Sequence, residues 1–372
     1  MLMTVGLVLF CFFAVAASIQ ILYYFIYFRR VANYQAPIPE TTQTYPVSVI
    51  VCSRDEDENL ARNLPGVLLQ EYETTHEVIV VNDNSVDDTR YILDELQKKH
   101  KKLQVIGLTQ EAKLIAGKKF PLSIGIKECR HEIVLLTDAD CVPATENWIS
   151  RMQEAFTPGI EVVLGYGAYY KQPGLLNKLI RWETFHTALQ YFGFALAGTP
   201  YMGVGRNLSY RKDLFFRNKG FSAINSLPGG DDDLFVNKVA HKGNTAVVIH
   251  PDAFTLSHPK KTWKDWLRQK RRHYSTGKYY KKAHQFLLGL YAATLFLFYP
   301  LFIATILFFD WRWALIPFVL RLLVQGVILK KAMRQLGEAD LWPLFPLLDV
   351  WMFVYYLIFA DSLWKKPRNS WS

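Results

Sequence analysis

The 372-residue chain has only four cysteines, and their spacing argues against two kinds of stabilised fold. Cys11, Cys52, Cys129 and Cys141 contain no C-x-x-C pair among them. A disulfide scaffold and a structural zinc site both need clustered cysteines, so neither is predicted. No segment of the sequence repeats at a period of about 20–50 residues, which excludes a solenoid.

The sequence also lacks two common glycine-rich nucleotide-binding motifs. No G-x-G-x-x-G follows the first predicted strand, and the chain contains no P-loop. In dinucleotide-binding folds and P-loop enzymes, the phosphates rest on the backbone of such a turn. Any nucleotide that this chain binds is therefore expected to be held without a glycine cradle.

Excess positive charge is confined to one short segment, although the net charge of the whole chain is +10. Residues 258–284 contain ten Lys and Arg against a single acidic residue, Asp265. The rest of the chain is close to neutral, so it has no broad basic face of the kind that binds nucleic acid. We therefore expect no nucleic-acid partner.

Long uncharged hydrophobic runs occur near both ends of the chain. The first, residues 5–28, has 24 residues, enough to cross a hydrocarbon core of about 30 Å. The alternative is a signal peptide cleaved near Ala16, but the run lacks a leading positive charge and continues for another dozen residues. We therefore predict an uncleaved anchor. Arg29 and Arg30 follow it, and the positive-inside rule then places the next part of the chain in the cytoplasm.

Three further hydrophobic segments follow residue 284. Residues 286–309 are uncharged, whereas residues 313–329 contain Arg321 and residues 341–360 contain Asp349. A charge within a membrane is unfavourable unless it faces protein or a water-filled cavity. The last segment has two interpretations. It crosses the membrane, or it is a re-entrant or interfacial helix that keeps the basic residues after it on the cytoplasmic side.

These features divide the chain into four parts. We expect an N-terminal transmembrane anchor at residues 1–30, a cytoplasmic α/β domain at 31–257, a basic amphipathic region at 258–284, and a C-terminal membrane region of two or three helices at 285–372. The second part is long enough to form one domain with a substantial hydrophobic core.

Within the α/β domain, short apolar runs alternate with amphipathic helical patterns. The predicted strands are residues 47–52, 77–82, 103–108 and 132–137, and the predicted helices are residues 59–70, 87–99 and 119–129. This alternation predicts a mostly parallel sheet with helices on both faces. Ligands of such sheets bind beyond the carboxyl ends of the strands, so residues that follow each strand are the candidates for function.

Two acidic residues follow the fourth predicted strand. Asp138 and Asp140 are two positions apart, so an extended backbone places both carboxylates on the same side. Paired carboxylates suit Mg²⁺ or Mn²⁺, which bind oxygen ligands and bridge substrate phosphates. The alternative is a solvated turn, because Asp is common in turns. The position of the pair at the end of a predicted strand favours the metal site.

Other polar residues follow the second strand and precede the third helix. Asp83, Asn84 and Ser85 are all residue types that cap helices, and we expect Ser85 to cap the next helix. The carboxylate of Asp83 can also accept from the imide N–H of a uracil-like base. Lys118 either binds a phosphate or is an ordinary exposed lysine. The sequence alone leaves the roles of Asp83 and Lys118 open.

Three consecutive acids, Asp231, Asp232 and Asp233, follow two glycines. Carboxylates this close together repel one another, which raises the pKa of at least one of them. Such a group suits a general base that faces an acceptor hydroxyl. The alternative is a helix N-terminus, where acids interact favourably with the helix dipole. The two roles are compatible if different residues perform them.

The basic region contains an amphipathic helical pattern. Trp263, Trp266, Leu267 and Tyr274 fall on one side of the predicted helix, and basic residues fall on the other. This pattern is typical of a helix that lies at an anionic membrane surface. A second interpretation is that some of the basic residues clamp a diphosphate.

In this order, the motifs resemble those of the membrane-bound family 2 glycosyltransferases, the group that includes the cellulose and hyaluronan synthases. The resemblance covers about residues 45–280. Residues 81–87 resemble the V-x-D-D-x-S-x-D motif, residues 138–140 the D-x-D motif, residues 230–234 the E-D-x-D-L motif, and residues 269–273 the Q-x-x-R-W motif. Gly117 and Lys118 resemble the Gly-Lys pair before the third helix, and residues 203–207 resemble the acceptor-side glycine stretch of the family.

The sequence departs from the family pattern at four positions. Asp55 stands where Asn is usual, Asn82 replaces the first Asp of its motif, and Gly230 replaces the Glu that precedes the catalytic Asp. His273 replaces the Trp that packs beside the acceptor sugar in the synthases. The last departure weakens the case for a processive polymerase.

The resemblance implies a GT-A fold flanked by transmembrane helices, and it implies roles for specific residues. The implied donor-binding residues are Ser53, Arg54, Asp55, Asp83, Lys118, Asp138, Gln269, Arg271 and Arg272; the implied metal ligands are Asp138 and Asp140; the implied catalytic base is Asp231, with Asp232 as the alternative.

The implied activity is inverting, metal-dependent transfer of a sugar from a UDP- or GDP-linked donor to a membrane-associated acceptor, such as a lipid-linked glycan. This would serve cell-envelope polysaccharide or glycolipid synthesis at a bacterial inner membrane. A processive polysaccharide synthase is the alternative, although three C-terminal segments are few for an export channel.

Two further classes of protein agree less well with the sequence. A nucleotidyltransferase can have a similar sheet and similar carboxylates, but it would need a basic glycine-rich loop early in the chain to bind a triphosphate. An inactive membrane scaffold could retain the fold, but it would not need acids at the strand ends.

Overall fold

The computed structural model describes residues 2–36, 44–109, 115, 117–273 and 276–359. Its strands are β1 (Val47–Ser53), β2 (His76–Asp83), β3 (Leu103–Leu108), β4 (Ile133–Asp138), β5 (Cys141–Pro143), β6 (Val162–Leu164), β7 (Gly167–Tyr169), β8 (Leu208–Arg211), β9 (Thr245–Val247) and β10 (Thr255–Ser257).

The helices of the α/β domain and the membrane region follow in chain order. They are α1 (Leu2–Tyr23), α2 (Arg29–Ala32), α3 (Asp57–Leu68), α4 (Thr89–Lys99), α5 (Lys119–Glu128), α6 (Trp148–Gln153), α7 (Leu175–Leu196), α8 (Lys212–Arg217), α9 (Asp233–Val239), α10 (Trp263–His273), α11 (Lys282–Phe308), α12 (Trp311–Gln335) and α13 (Phe345–Phe359). A π-helical turn, Tyr24–Phe28, joins α1 to α2, and a 3₁₀ helix, Ala339–Leu344, precedes α13.

The larger sheet has seven strands in the order β3-β2-β1-β4-β8-β6-β9. Strands β1 to β4 are parallel, whereas β8 runs antiparallel to both β4 and β6. Strands β5, β10 and β7 form a smaller sheet. The predicted mostly parallel sheet is confirmed for its four N-terminal strands, and the predicted ends of these strands and of α3, α4 and α5 differ from the observed ends by no more than two residues.

Both faces of the large sheet are covered by apolar side chains, as the nearly continuous apolar strands predict. On one face, Val49 of β1 belongs to a buried cluster with Leu60 of α3 and Leu93 of α4. On the opposite face, Ile50 belongs to a cluster with Ile126 of α5. Successive residues of a strand point to opposite faces, which explains why neighbours in β1 enter different clusters.

Four helical segments are long and apolar enough to cross a membrane. They are Met3–Ala32, Lys282–Phe308, Trp311–Gln335 and Ala339–Phe359. These segments correspond to the four that the sequence predicts, and the predicted last residue of the fourth, Ala360, lies outside the described residues. The fourth segment is helical over 21 residues, so by length and composition it favours the crossing interpretation.

The two charges within these segments pair with each other. Arg321 of α12 donates to both carboxylate oxygens of Asp349 in α13, at 2.7 and 3.1 Å. Gln325 and Tyr299 also donate to Asp349, at 2.6 and 2.5 Å. The side-chain oxygen of Gln20 in α1 lies 3.5 Å from Nη2 of Arg321. A single polar network therefore connects α1, α11, α12 and α13, and it compensates both charges where water is excluded.

We predict that Arg321→Met destabilises the protein by about 3–5 kcal/mol, because Asp349 would remain buried without its countercharge. The measurement is the midpoint of thermal unfolding in detergent. The exposed Arg312, in the same helix, provides the control Arg312→Met, which should leave the midpoint close to that of the wild type. Arg321→Met/Asp349→Leu should recover much of the loss. Equal effects of the two arginine substitutions would contradict the pairing.

Candidate active site

The carboxyl ends of three neighbouring strands meet at one edge of the large sheet. Strand β1 ends at Ser53, and on either side of it β2 ends at Asp83 and β4 at Asp138. In the register, Ser53 lies opposite Asn82 and Cys52 lies opposite Asp138. The sheet therefore brings the residues predicted after the strands to the edge where ligands of parallel sheets bind.

Lys118 lies between two groups of carboxylates at this edge. Its Nζ donates to Oδ1 of Asp138 at 2.8 Å and lies 3.3 Å from Oδ2 of Asp231. Burial alone would lower the pKa of Lys118, but the carboxylates of Asp138 and Asp231 outweigh burial and hold that pKa well above its usual value. The residue is a paired cation in the site, and the alternative of an ordinary exposed lysine does not fit.

A glycine turn sets this position of Lys118. Gly117 has a φ of +71°, and a Cβ atom there would lie 2.3 Å from the carbonyl oxygen of Pro228. Only glycine fits such a left-handed and tightly packed position without strain. The next residue, Lys119, donates to the carbonyl oxygens of Leu227 and Gly229. The start of α5 is thereby joined to the loop that leads to the three consecutive acids.

The three consecutive acids occupy different environments. Asp231 is buried beside Lys118. Asp232 accepts a hydrogen bond from the backbone N–H of Gly205 at 2.8 Å, and it caps α9 by accepting from the N–H of Asp233. The predicted helix N-terminus is therefore correct for Asp232, and Asp231 lies just before the helix.

Burial raises the pKa of two of these acids. The pKa of Asp232 rises to about 7 through burial and repulsion by Asp231 and Asp233, which outweigh the opposing effects of Lys118 and the Gly205 N–H. Burial also raises the pKa of Asp233, although Thr276 and Tyr280 donate to its Oδ2 at 2.5 and 2.7 Å.

Asp138, Asp140 and Cys141 form a group that could hold a metal ion. One donor atom from each of the three lies within 4.8 Å of the others. Burial and the charge of Asp138 raise the pKa of Asp140. Burial and the same carboxylates raise the pKa of the Cys141 thiol well above its usual value, so the sulfur stays protonated and is a poor metal ligand. The two carboxylates suit a hard cation such as Mg²⁺ or Mn²⁺.

Arg206 is a charged residue of this region that the sequence reasoning did not single out. Its guanidinium donates to Oγ of Ser257 at 3.0 Å and lies over the ring of Tyr169, 4.5 Å from the centroid. Its charge opposes the rise in the pKa of Asp140 and therefore acts on the candidate metal site. Arg206 follows the glycine stretch 203–205, but nothing in the sequence indicates that its charge meets the D-x-D residues.

The predicted nucleoside-binding residues lie in two loops that contact each other. Asp55 has a φ of +54°, its N–H donates to Oγ of Ser85 at 2.9 Å, and its Oδ1 accepts from the N–H of Val86 at 2.8 Å. Asp83 is buried and accepts from Asn84. Ser85 therefore does not cap α4, which begins at Thr89, because its hydroxyl connects the loops after β1 and β2 instead.

The remaining predicted residues in these loops are Ser53 and Arg54. Ser53 is fully buried at the end of β1, and its hydroxyl lies 3.5 Å from the carbonyl oxygen of Val81. Arg54 is partly buried. Both lie at the carboxyl edge of the sheet, within the segment that the resemblance assigns to the nucleoside.

Sequence comparison with known families agrees with this geometry. The profile described as Glycosyl transferase family group 2 matches residues 133–360, more than half of the chain. The profile described as Glycosyl transferase family 2 matches residues 48–216. The chain belongs to glycosyltransferase family 2. The two matched regions together include every strand of the large sheet and the C-terminal helices.

The alignments of this glycosyltransferase with its curated relatives cover only part of each relative's length. The chain is 26% identical to the probable glycosyltransferase YdaM of Bacillus subtilis over 263 residues, which are 66% of this chain and 59% of the relative. It is 31% identical to the beta-monoglucosyldiacylglycerol synthase of Nostoc sp. over 122 residues, 32% of this chain and 25% of the relative. The chain thus spans less than two thirds of either relative.

A solved structure shares the fold of the glycosyltransferase. The mannosyltransferase PcManGT of Pyrobaculum calidifontis, solved in complex with GDP-Man and Mn²⁺, aligns with a TM-score of 0.62 at 20% identity. The alignment covers 97% of this chain and 98% of that structure. At this identity the likeness shows the fold, which is GT-A with associated helices. The GT-A expectation is therefore confirmed.

The basic helix α10 of the glycosyltransferase packs against the last membrane helix. Trp266 is fully buried, and its ring lies 6.2 Å from Trp351 and 5.9 Å from Tyr355 between centroids. Gln269 is half-buried and Arg271 is exposed. Among the described contacts, neither residue forms an ion pair with the site carboxylates. The side chain of Arg272, an implied donor-binding residue, and Tyr274, predicted on the apolar side of the helix, lie outside the described part.

We predict that Asp232→Asn makes the glycosyltransferase more stable than the wild type at neutral pH. The pKa of Asp232 is raised from 3.8 to about 7 in the folded state, so its protonated form stabilises the fold below about pH 4, and this contribution is lost as the pH rises through about 7. The unfolding midpoint of Asp232→Asn should therefore match that of the wild type near pH 4. It should exceed the wild-type midpoint by a growing margin as the pH rises to about 7.

The control for this measurement is Asp213→Asn, at an exposed position. Both variants are compared with the wild type by thermal unfolding without metal, from pH 4 to pH 8. Parallel curves for the wild type and Asp232→Asn would contradict the raised pKa.

Proposed function

We propose that the chain is an inverting, membrane-bound glycosyltransferase. It moves a sugar from a UDP- or GDP-linked donor to a membrane-associated acceptor such as a lipid-linked glycan, in cell-envelope polysaccharide or glycolipid synthesis. The observation that carries this proposal is the position of Lys118, between Asp138 at the end of β4 and Asp231 before α9. A candidate metal site and a candidate base thereby lie on two sides of one cation.

The donor is proposed to bind along the edge formed by β1, β2 and β4. Asp83 and the loop from Ser53 to Asp55 hold the nucleoside, and the ammonium group of Lys118 faces the phosphates. A buried carboxylate such as that of Asp83 can accept from an N–H of the base. The complex of PcManGT with GDP-Man and Mn²⁺ is consistent with a nucleotide-sugar donor in this fold.

Asp138 and Asp140 are proposed to hold Mg²⁺ or Mn²⁺. A divalent cation bound there supplies positive charge that stabilises the diphosphate as it leaves. Their fit is supported by the close spacing of the two carboxylates and by the raised pKa of Asp140, which burial and the neighbouring charge of Asp138 both produce. The positive charge of Arg206 opposes this rise in the pKa of Asp140.

Asp231 is the proposed general base, with Asp232 as the alternative. The carboxylate of Asp231 takes the proton from the acceptor hydroxyl while the oxygen attacks C1 of the sugar from the face opposite the diphosphate, which inverts the anomeric configuration. Asp231 is the better candidate because Asp232 already accepts from two backbone N–H groups. The ammonium group of Lys118 lies 3.3 Å from Oδ2 of Asp231 and pairs with this carboxylate.

The acceptor is proposed to lie at the membrane, with the catalytic domain on the cytoplasmic side of a bacterial inner membrane. The positive residues after the first span support that orientation, and helices on both sides of the α/β domain keep the site close to the bilayer. The Nostoc relative is named for a glycolipid product, whereas a relative from Staphylococcus epidermidis is named as a poly-beta-1,6-N-acetyl-D-glucosamine synthase. We favour single-sugar transfer.

The proposal is tested with detergent-purified protein, a panel of UDP- and GDP-sugars, Mn²⁺ or Mg²⁺, and membrane lipid extract as the acceptor source. We expect release of one nucleoside diphosphate, loss of release with EDTA, and a short lipid-linked product with inverted configuration. A long polymer would instead support the processive synthase. We expect tight nucleotide binding whether the product is short or polymeric. If the protein neither bound a nucleotide nor turned over a donor, that result would favour an inactive scaffold.

We predict that Asp231→Asn lowers the rate of transfer by at least about 100-fold, because general-base catalysis typically contributes about 10²–10⁴-fold. The affinity for UDP or GDP should stay close to that of the wild type, since the amide has the same size and the donor site is intact. The measurements are kcat by product formation and nucleotide binding by calorimetry. Asp213→Asn is the surface control. Normal turnover by Asp231→Asn would transfer the base role to Asp232.

A further inference from the structure

Among the basic residues of α10 whose side chains the structure describes, Lys270 differs from the others in its burial. Lys264, Arg268 and Arg271 are exposed. Lys270 is only 6% exposed. A lysine ammonium group is strongly hydrated in water, so burying it is unfavourable unless an opposite charge and hydrogen bonds replace that water. The burial of Lys270 therefore needs a specific partner.

That partner is Glu183 in the middle of α7. The ammonium group of Lys270 forms an ion pair with Oε2 of Glu183, which is also buried, at 4% exposed. The other carboxylate oxygen of Glu183 accepts from the hydroxyl of Thr187 at 3.2 Å. Both charges of the pair are thus held between two helices that are separated by more than 60 residues in the sequence.

The carboxylate of Glu183 lies on a helix that is anchored on several sides. In the same helix, Arg181 donates to Glu338 at 2.9 Å and to Asp340 at 2.6 Å, in the segment between α12 and α13. His186 and Tyr291 of α11 share a hydrogen bond of 2.9 Å. Helix α7 therefore connects the α/β domain to the membrane helices and gives Lys270 a fixed partner.

Helix α10 is consequently docked at two points on one face. Trp266 and Lys270 are four residues apart, so they lie one turn apart on the same side of the helix. Trp266 packs on Trp351 and Tyr355 of α13, and Lys270 pairs with α7. Ring packing tolerates rotation and sliding, whereas a rotation of α10 that separates Lys270 from Glu183 leaves two buried charges unpaired. The ion pair is thus the contact that defines the rotation of α10.

We propose that the Glu183–Lys270 ion pair positions α10 for donor binding, so that Glu183 and Lys270 are positioning residues. Neighbouring residues of a helix are about 100° apart, and pairing Lys270 with α7 places Gln269 and Arg271 on its two flanks. A rotation of α10 by about 100° would place Arg271 opposite Glu183. Arg271 would then no longer lie beside Lys270 in the position proposed for donor binding. This inference rests on the proposed function, together with the donor-binding role that the resemblance implies for Gln269 and Arg271.

The test compares Glu183→Gln, Lys270→Met and the exchange variant Glu183→Lys/Lys270→Glu with the wild type. Each single change leaves one buried charge without its partner, and we expect the donor KM to rise by at least about tenfold. Mn²⁺ binding, which depends on Asp138 and Asp140, should not change. The exchange variant should recover most of the donor affinity. Lys270→Arg keeps the charge and should lose the least affinity, even where the other single variants fold poorly.

The matched control is the exposed ion pair between Glu95 and Lys98 in α4, with an N–O separation of 2.7 Å. Glu95→Gln should leave the donor KM at the wild-type value, because exposed pairs contribute little. Unchanged donor KM in folded Glu183→Gln and Lys270→Met would overturn the inference. A rise of the donor KM in Lys270→Arg equal to that in Lys270→Met would also overturn it.

A second measurement does not depend on enzymatic activity. Spin labels at the exposed positions Arg268 of α10 and Lys178 of α7 report the distance between the two helices, with the exposed Cys11 replaced by Ser. We expect a narrow distance distribution in the wild type, a broad one in Glu183→Gln, and a narrow one in the exchange variant. A narrow distribution in Glu183→Gln would overturn the positioning role. If the distances change as expected but no UDP- or GDP-sugar is turned over, the result would count against the proposed function instead.

Discussion

The arrangement of the candidate site depends on the two ion pairs of Lys118. The sheet edge and the loop before α9 bring Asp138 and Asp231 close together, and repulsion between their charges would separate them without a cation. The ammonium group of Lys118 contacts both. Acids that Lys118 does not contact directly, Asp140 and Asp232, have raised pKa values instead. The position of one lysine, which the turn at Gly117 permits, thus determines which two carboxylates of the site share a cation.

The same rule of charge compensation organises the helices around the α/β domain. Arg321 and Asp349 neutralise each other among the four membrane helices. Arg181 with Glu338 and Lys270 with Glu183 do so at the boundary between the domain and those helices. Each of these pairs joins elements that are distant in the sequence. The α/β domain is therefore attached to the long apolar helices by buried ion pairs as well as by apolar packing, which fixes the candidate site relative to those helices.

Much of the fold followed from the sequence because its signals are local. Runs of Val, Ile and Leu predicted β1 to β4, and their alternation with amphipathic segments predicted the parallel sheet and hence the edge where Asp83 and Asp138 lie. The hydrophobic runs predicted the membrane helices in the same way. The prediction that Ser85 caps the next helix was wrong, because its hydroxyl oxygen accepts from the N–H of Asp55 in the neighbouring loop. Arg206 was missed because its charge acts on Asp140 only once folding has brought the two residues into the same region.

The sequence by itself determined the class of fold, the order of the motifs and the four long apolar segments, because hydrophobic periodicity and length decide these independently of the rest of the chain. It also identified which acids were candidates for metal binding and catalysis. Only the tertiary structure decided how their charges are balanced, which of the three consecutive acids caps α9, and which lysine of α10 is buried. Those properties depend on burial and on Coulomb interactions between residues that are far apart in the sequence, so no local sequence pattern predicts them.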